Sequence, residues 1–357
     1  MEKMPDGHAS TDNSSVARER YKNKFSGWTA NLTTAWRRPP LCHHQAIMAY
    51  NCINNINAIL LYRMKPTLIV SAVQQPCNKD RQTNLDFSLA KIEEAAAINA
   101  DLVVLPELHL GPYFCQNEDY NNFELAQAIP GPATEILSAT AKKLKIVIVS
   151  TIFEKRAPGL YHNTAVIFDK DGRIAGKYRK MHIPDDPGFY EKYYFTPGDL
   201  GFKPIQTSIG KLGVLVCWDQ WFPEAARLMA LAGAEILIYP TAIGWDPQDT
   251  PEEHQRQLDA WITIQRSHAV ANGMPIIACN RIGLEQAPGS ATGINFWGNS
   301  FIAGPQGEII TQANDSETKL LTATFEGSRS ERVRQIWPFL RDRRIDAYDD
   351  LSKRFID

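Results

Sequence analysis

Gly213-Val214-Leu215-Val216-Cys217-Trp218-Asp219-Gln220-Trp221-Phe222-Pro223-Glu224 is the stretch around which the chain is organised. Val214 to Val216 is a short apolar run that reads as a buried strand, and Pro223, a residue favoured in a first helical turn, marks the start of a helix. Cys217 therefore falls on a tight strand-to-helix turn, its sulfur at the strand end and backbone N–H groups of the new helix close by. That is the geometry of a nucleophile elbow. Free cysteine also packs as a small hydrophobe, so this stretch alone leaves a second reading open, in which Cys217 is one more buried thiol.

Working outward, strand and helix periods alternate. Before the stretch, Thr67 to Val73 reads as a strand. Leu85, Leu89, Ile92 and Ala96 lie on one helical face after Asn84 as N-cap, and Asp101 to Leu105 is the next strand. Pro132 opens a helix to about Leu144 that leads into the apolar strand Ile146 to Ile152. Asn163–Phe168 and Arg173–Tyr178 flank Asp169-Lys170-Asp171-Gly172 as a hairpin, and Ile205–Ile209 and Leu212–Val216 close around Gly210-Lys211. After the stretch come a strand Glu235–Tyr239, a long helix from about Glu252 to Asn272, and the strands Pro275–Asn280, Asn299–Ile302 and Leu320–Phe325. Helices alternating with strands and hairpins predict a layered α/β domain with mixed sheets.

Composition bounds the partners. The 357 residues are 44% hydrophobic and 10% aromatic, enough for a sizeable core. Lys+Arg of 38 nearly balance Asp+Glu of 40, so no basic field points to nucleic acid or a membrane surface, and a small molecule is the expected partner. No run approaches the roughly 18 apolar residues of a membrane span. The six cysteines (Cys42, Cys52, Cys77, Cys115, Cys217, Cys279) include no CxxC pair, which gives no metal-ligand spacing and suits a reducing, cytoplasmic setting. Gly-rich phosphate signatures are absent, and no cofactor or metal is expected.

Residues 1–63 lack any sustained period and are rich in polar residues, so little fixed structure is expected there. Glu2, Asp6, Asp12 and Glu19 are unusual for a transit peptide. Met64 directly precedes the first strand and is the expected natural start, with the upstream segment an extended reading frame. Residues 64–357 then form one domain with a helical tail from Arg329, whose Trp337, Phe339 and Leu340 need a surface to cover.

Three charged residues stand just past strands or among aromatics. Glu107 follows Leu102-Val103-Val104-Leu105-Pro106, Lys180 lies in Tyr178-Arg179-Lys180-Met181-His182-Ile183-Pro184, and Glu191 sits in Phe189-Tyr190-Glu191-Lys192-Tyr193-Tyr194. Singly, each reads as a solvated loop charge. His109 and His182 lie two residues after Glu107 and Lys180, so chain position also admits a Cys–His dyad, which would leave the three charged residues without a shared purpose.

Together with Cys217, the segments V-V-L-P-E-L, K-Y-R-K-M-H-I-P, E-K-Y-Y-F-T-P-G-D and C-W-D-Q-W-F-P-E-A-A-R resemble, in order and spacing, the carbon–nitrogen hydrolases of the nitrilase superfamily. Within it the chain is most similar to the N-carbamoylputrescine amidases, through Tyr113-Phe114-Cys115-Gln116, Cys217-Trp218-Asp219-Gln220-Trp221, Tyr239-Pro240-Thr241-Ala242-Ile243-Gly244 and Trp337-Pro338-Phe339-Leu340-Arg341-Asp342-Arg343-Arg344. The resemblance implies a four-layer α-β-β-α sandwich that pairs into homodimers or larger homo-oligomers. It implies Cys217 as nucleophile, Glu107 as general base, Lys180 with the Trp218 N–H as oxyanion donors, and Glu191 as an assisting carboxylate. It further implies cleavage of N-carbamoylputrescine to putrescine, carbon dioxide and ammonia, a step of polyamine biosynthesis. Another linear amide or ureide (an ω-amide or a carbamoyl-amino acid) is the alternative substrate, and a non-catalytic binding protein on this fold the alternative class.

Carbamoyl-amino-acid substrates call for an arginine fork, and the positions after the nucleophile motif are Gln220 and Trp221 instead. Asp219 lies beside them, and Glu118, Asp119, Asp185 and Asp186 lie on the loops after the Glu107 and Lys180 strands. An acidic and aromatic rim formed by these residues with Tyr113, Trp218 and Gln220 predicts a substrate with a cationic end.

Overall fold

In the computed structural model, which describes residues 65–286 and 292–357, the alternating periods resolve into two six-stranded sheets and a small third one. The extension expected over residues 1–63 lies outside the described residues. β1 (Thr67–Gln74) leads through α1 (Arg81–Ala97) to β2 (Leu102–Val104), and α2 (Pro132–Leu144) leads to β3 (Val147–Ala157). β4 (Leu160–Phe168) and β5 (Ile174–Arg179) form the expected hairpin. The one-turn α3 (Glu191–Tyr194), the hairpin β6 (Ile205–Thr207) and β7 (Gly210–Val214), α4 (Pro223–Leu231), β8 (Ile236–Thr241), β9 (Gly244–Trp245) and the long α5 (Pro251–Asn272) follow. The chain continues through β10 (Ile276–Asn280), β11 (Ile282–Gln286), β12 (Gly293–Trp297), β13 (Phe301–Ala303), β14 (Ile309–Gln312), β15 (Lys319–Glu326) and α6 (Gly327–Ile336).

The first sheet runs β15-β1-β2-β3-β4-β5 and the second β14-β13-β10-β8-β7-β6. Each is mixed, with three parallel strands (β1-β2-β3 and β10-β8-β7) flanked by antiparallel ones. Parallel neighbours need long crossovers, and α1, α2, α4 and α5 supply them. Strand period two then explains why these runs are apolar on both faces. Leu102, Val104, Val147, Val149, Ala165 and Ile167 join Leu212, Val214, Ile236 and Ile238 in the core between the sheets. The alternate residues Val103, Ile148, Val166 and Phe168 pack with Leu85 and Ile92 of α1 and Leu137 and Ala141 of α2. On the far side, Trp261 of α5 packs with Ala278, Phe301 and Ala303. The layers are helix, sheet, sheet, helix, the α-β-β-α sandwich.

Several local expectations need correction. The N-cap of α1 is Asp80, whose carboxylate accepts from Thr83 N at 2.7 Å, while Asn84 is buried and its side chain ties down Asn78 instead. On the same helix it is Ala95, not Ala96, that is buried. The β6–β7 turn is Ser208-Ile209, because Thr207 pairs with Gly210. Gly172 in the β4–β5 turn has φ +86°, and a Cβ there would meet Ser138 O at 2.8 Å, so the turn requires glycine. The tail is α-helical only to Ile336, with single 3-10 turns at Ile345–Ala347 and Asp349–Ser352 beyond it.

Candidate active site

Four of the residues singled out in the sequence converge. Glu107 stands three residues past β2, Lys180 one past β5, Glu191 opens α3, and Cys217 lies three past β7. Glu107, Lys180 and Glu191 have no solvent exposure. Lys180 Nζ donates to Glu107 Oε1 at 2.9 Å and to Glu191 Oε2 at 2.7 Å. Tyr113 OH donates to Glu191 Oε1 at 2.7 Å. Such buried charges persist only when paired and hydrogen-bonded. Burial opposes the charge on Lys180, but Glu107, Glu191 and Cys217 outweigh it and hold the ammonium well above its usual range. Burial, with the charge of Glu107, pushes the Glu191 carboxyl up to about 7 against the pull of Lys180.

Cys217 occupies the left-handed region at φ +44°, an uncommon conformation for a residue with a Cβ and one that concentrates at functional turns. It opens a 3-10 turn, Cys217–Trp221, that precedes α4. Its thiol donates weakly to Ala242 O at 3.7 Å and lines a cavity of about 650 Å³. Burial, then the negative charge of Glu107, holds the thiol well above its ordinary range, with Lys180 pulling the other way. A thiol held up in this way can act as a nucleophile only beside a base that takes its proton. Glu107 Oε2, buried and without a hydrogen-bond partner, is such an acceptor.

The turn is held from behind. Asp219, also without exposure, accepts from Tyr178 OH at 2.8 Å, Val216 N at 2.9 Å and His182 N at 3.0 Å, and its Oδ1 lies 2.7 Å from His182 Nδ1. His182 stacks on Phe222 at 3.7 Å. Gln220 is likewise buried, accepting from Thr241 Oγ1 at 3.2 Å. Neither Asp219 nor Gln220 lines the cavity, contrary to their expected place on its rim. Trp218 and Trp221, one three-residue period apart, share the cavity side, while Asp219 and Gln220 are held in the core by Tyr178 and Thr241. Tyr113 acts on Glu191 rather than on the rim, and Asp185 points away, about half exposed and 4.0 Å from Lys192 Nζ. Asp119 is spent capping a 3-10 turn, and Glu118 is exposed outside the cavity. Neither histidine bonds the thiol. His109 is buried between Ser88 and Ser150, where burial and the charge of Arg281 push it down to about 3.

Of the expected rim acids only Asp186 lines the cavity. It is joined by Asp246, Asp249 and Glu253, which come from the β9–α5 connection and the first turn of α5, and by the rings of Phe189, Trp218, Trp221 and Trp297. The one cation of this lining among the described residues, Arg256, pairs with Glu253 at 2.6 Å. Gly244 in the same wall admits no side chain, since a Cβ would meet Asn295 O at 2.4 Å. Two further residues at the site were not singled out in the sequence. Asn163 donates to Glu107 Oε1 at 2.6 Å. Arg281, fully buried, donates to the carbonyls of Glu107 at 2.6 Å and Leu108 at 2.9 Å and pairs with Glu285. Among the described residues no group of three or more His, Cys, Asp or Glu side chains converges as a metal site.

This constellation can form and hydrolyse a thioester: a thiol on a strained turn, a carboxylate with one free oxygen, and a buried ammonium beside it. Residues 69–335 match the family described as carbon-nitrogen hydrolase. The chain is 44% identical over 284 residues to the N-carbamoylputrescine amidase of Arabidopsis thaliana, covering 79% of this chain and 94% of the relative. It is 41% identical over 287 residues to a citrullinase of Francisella tularensis, covering 80% and 98%. Among solved structures it superposes on a carbon-nitrogen hydrolase from Helicobacter pylori G27 with a TM-score of 0.79 and 53% identity, covering 81% of this chain and 100% of that one. On the match over residues 69–335, the chain belongs to the carbon–nitrogen hydrolase family, within the nitrilase superfamily.

Proposed function

We propose that this enzyme hydrolyses N-carbamoylputrescine to putrescine, carbon dioxide and ammonia. The observation that carries the reading is the lining of the Cys217 cavity, which among the described residues sets four carboxylates and four aromatic rings against a single arginine paired with one of the four. A ureide ending in an ammonium fits such a wall through ion pairing and ring faces. The name of the 44% identical plant relative points the same way.

In the proposed mechanism Cys217 attacks the ureido carbon as Glu107 Oε2 takes the thiol proton. Lys180 and the Trp218 N–H hold the oxygen as it becomes negative, each such donor contributing on the order of 10²–10³ in rate. Glu107 then returns the proton to the departing amine, leaving a carbamoyl thioester on Cys217. Water, activated by the same carboxylate, cleaves that thioester to the free thiol and carbamic acid, which breaks down to carbon dioxide and ammonia. Glu191, fixed by Tyr113, keeps Lys180 in register. The resemblance to homo-oligomers finds support in the tail, where Ile336 is 74% and Trp337 48% exposed. Among the described residues no helix is long and apolar enough to cross a membrane, and the free thiols of Cys77, Cys115, Cys217 and Cys279 suit a reducing, cytoplasmic compartment.

A second reading, a ureido amino acid such as citrulline, is favoured by Arg256 in the wall and by the citrullinase relative. Ammonia release across N-carbamoylputrescine, citrulline, N-carbamoyl-β-alanine and an N-carbamoyl-alkylamine lacking the terminal amine separates the readings. The first substrate should show the highest kcat/KM, and loss of the amine should chiefly raise KM. Equal turnover of citrulline refutes the putrescine assignment.

A further inference from the structure

Asn163 lies in the middle of a strand whose other inward-facing residues, Ala165 and Ile167, belong to the apolar core between the sheets. A polar side chain at that register position is costly unless paired. Its amide Nδ2 donates to Glu107 Oε1 at 2.6 Å, and its backbone oxygen accepts from Lys180 N at 2.9 Å. One step of the sheet thus carries both side chains that meet the same carboxylate oxygen, since Lys180 Nζ reaches Glu107 Oε1 at 2.9 Å. Oε1 is occupied twice, and Oε2 not at all. Asn163 has no solvent exposure, and its own Oδ1 is buried without a hydrogen-bond partner, so the residue is poorly explained as a device for stability.

We propose that Asn163 is a positioning residue that selects the catalytic oxygen of Glu107. By occupying Oε1 together with Lys180 it fixes the rotation of the carboxyl group and leaves Oε2 as the oxygen that takes the proton from Cys217. A lysine alone leaves the carboxylate free to turn about its terminal bond, because a single donor imposes no plane. Two donors on one oxygen from adjacent strands do impose it. The amide is the fitted group, since it donates to a carboxylate without adding a charge that would compete with Lys180.

The inference rests on Glu107 serving as the base, and a double-mutant cycle separates the two claims. Asn163→Ala, Glu107→Gln and the double variant are compared with the parent enzyme by kcat and KM for N-carbamoylputrescine, each first shown to be folded by circular dichroism. Asn163→Ala should lower kcat roughly 10–100-fold, the range of one hydrogen bond to a charged group, with KM changed less than about threefold. Adding Asn163→Ala to Glu107→Gln should cost less than about threefold more, because the group through which Asn163 acts is already gone. Asn163→Asp, the same size but unable to donate when ionised, should be at least as impaired as Asn163→Ala at pH 8 and recover toward pH 6. Full independence of the two losses, or an Asn163→Ala enzyme with parental kcat beside an inactive Glu107→Gln, overturns the positioning role alone. Substantial activity in Glu107→Gln overturns the base and the positioning role together.

Discussion

Replacing Lys180 by Met tests how the buried charges are balanced. Its ammonium is the shared partner of Glu107 at 2.9 Å and Glu191 at 2.7 Å, and none of the three side chains is exposed. Without it two carboxylates remain buried side by side, one held by Asn163 and the other by Tyr113. Breaking a buried pair by removing one partner costs about 3–5 kcal/mol. In a domain of this size that lowers Tm by roughly 5–8 °C. The sign of the pH dependence follows. The Glu191 carboxyl, already raised to about 7 by burial against the pull of Lys180, rises further without that cation, so the loss shrinks toward pH 5 and is greatest above pH 7. Lys180→Met combined with Glu191→Gln removes one stranded charge and should recover at least half of the lost Tm. Activity should not return in either variant, because the ammonium proposed as oxyanion donor is absent from both, a loss on the order of 10²–10³. Differential scanning fluorimetry from pH 5 to 8, paired with ammonia release, reads both effects. A Lys180→Met protein that melts within 2 °C of the parent at pH 8, or a double variant no more stable than the single one, refutes the charge balance described here.

Asp219→Asn leaves one accepting oxygen where the carboxylate served Tyr178, Val216 and His182, and should cost about 2–4 kcal/mol in urea unfolding while slowing turnover at least tenfold. His109, neutral and pushed down to about 3 in the fold against an ordinary 6.5, contributes stability that is complete above pH 6.5 and lost as pH falls toward 3. His109→Gln should therefore flatten the urea midpoint between pH 7 and 4. Exchanging Ile336, Trp337 and Phe339 for Ser should lower the solution mass measured by light scattering, and an unchanged mass refutes a role for this tail in assembly.

How far the sequence carried differs from residue to residue, for physical reasons. The strand-to-helix turn at Cys217 was legible because an apolar run, a cysteine and Pro223 lie within ten residues, and α2 was legible because Pro132 opens it. Glu107 and Lys180 were visible as charges just past apolar strands. The β11-β12-β9 sheet was not, since the two-residue β9 joins β12 from far away in the chain, as Gly244 with Phe296. The burial of Asp219 and Gln220 rests on partners distant in the chain, Tyr178 and Thr241, which composition does not reveal. Asp246, Asp249 and Glu253 stand in a turn and a helix start with nothing local to mark them, and only the approach of α5 to the Cys217 turn makes them a wall of the site. Asn163 did leave a trace, a polar residue in register with Ala165 and Ile167.

The central claim is that Cys217 carries the substrate's carbamoyl group during turnover. Enzyme mixed with N-carbamoylputrescine, quenched in acid within milliseconds, digested and examined by mass spectrometry reports it directly. The account predicts one carbamoyl increment on the peptide containing Cys217, absent from Cys217→Ala, which should be folded and inactive. A turning-over Cys217→Ala enzyme, or a carbamoyl group found on Cys115 or Cys279 instead, would contradict it.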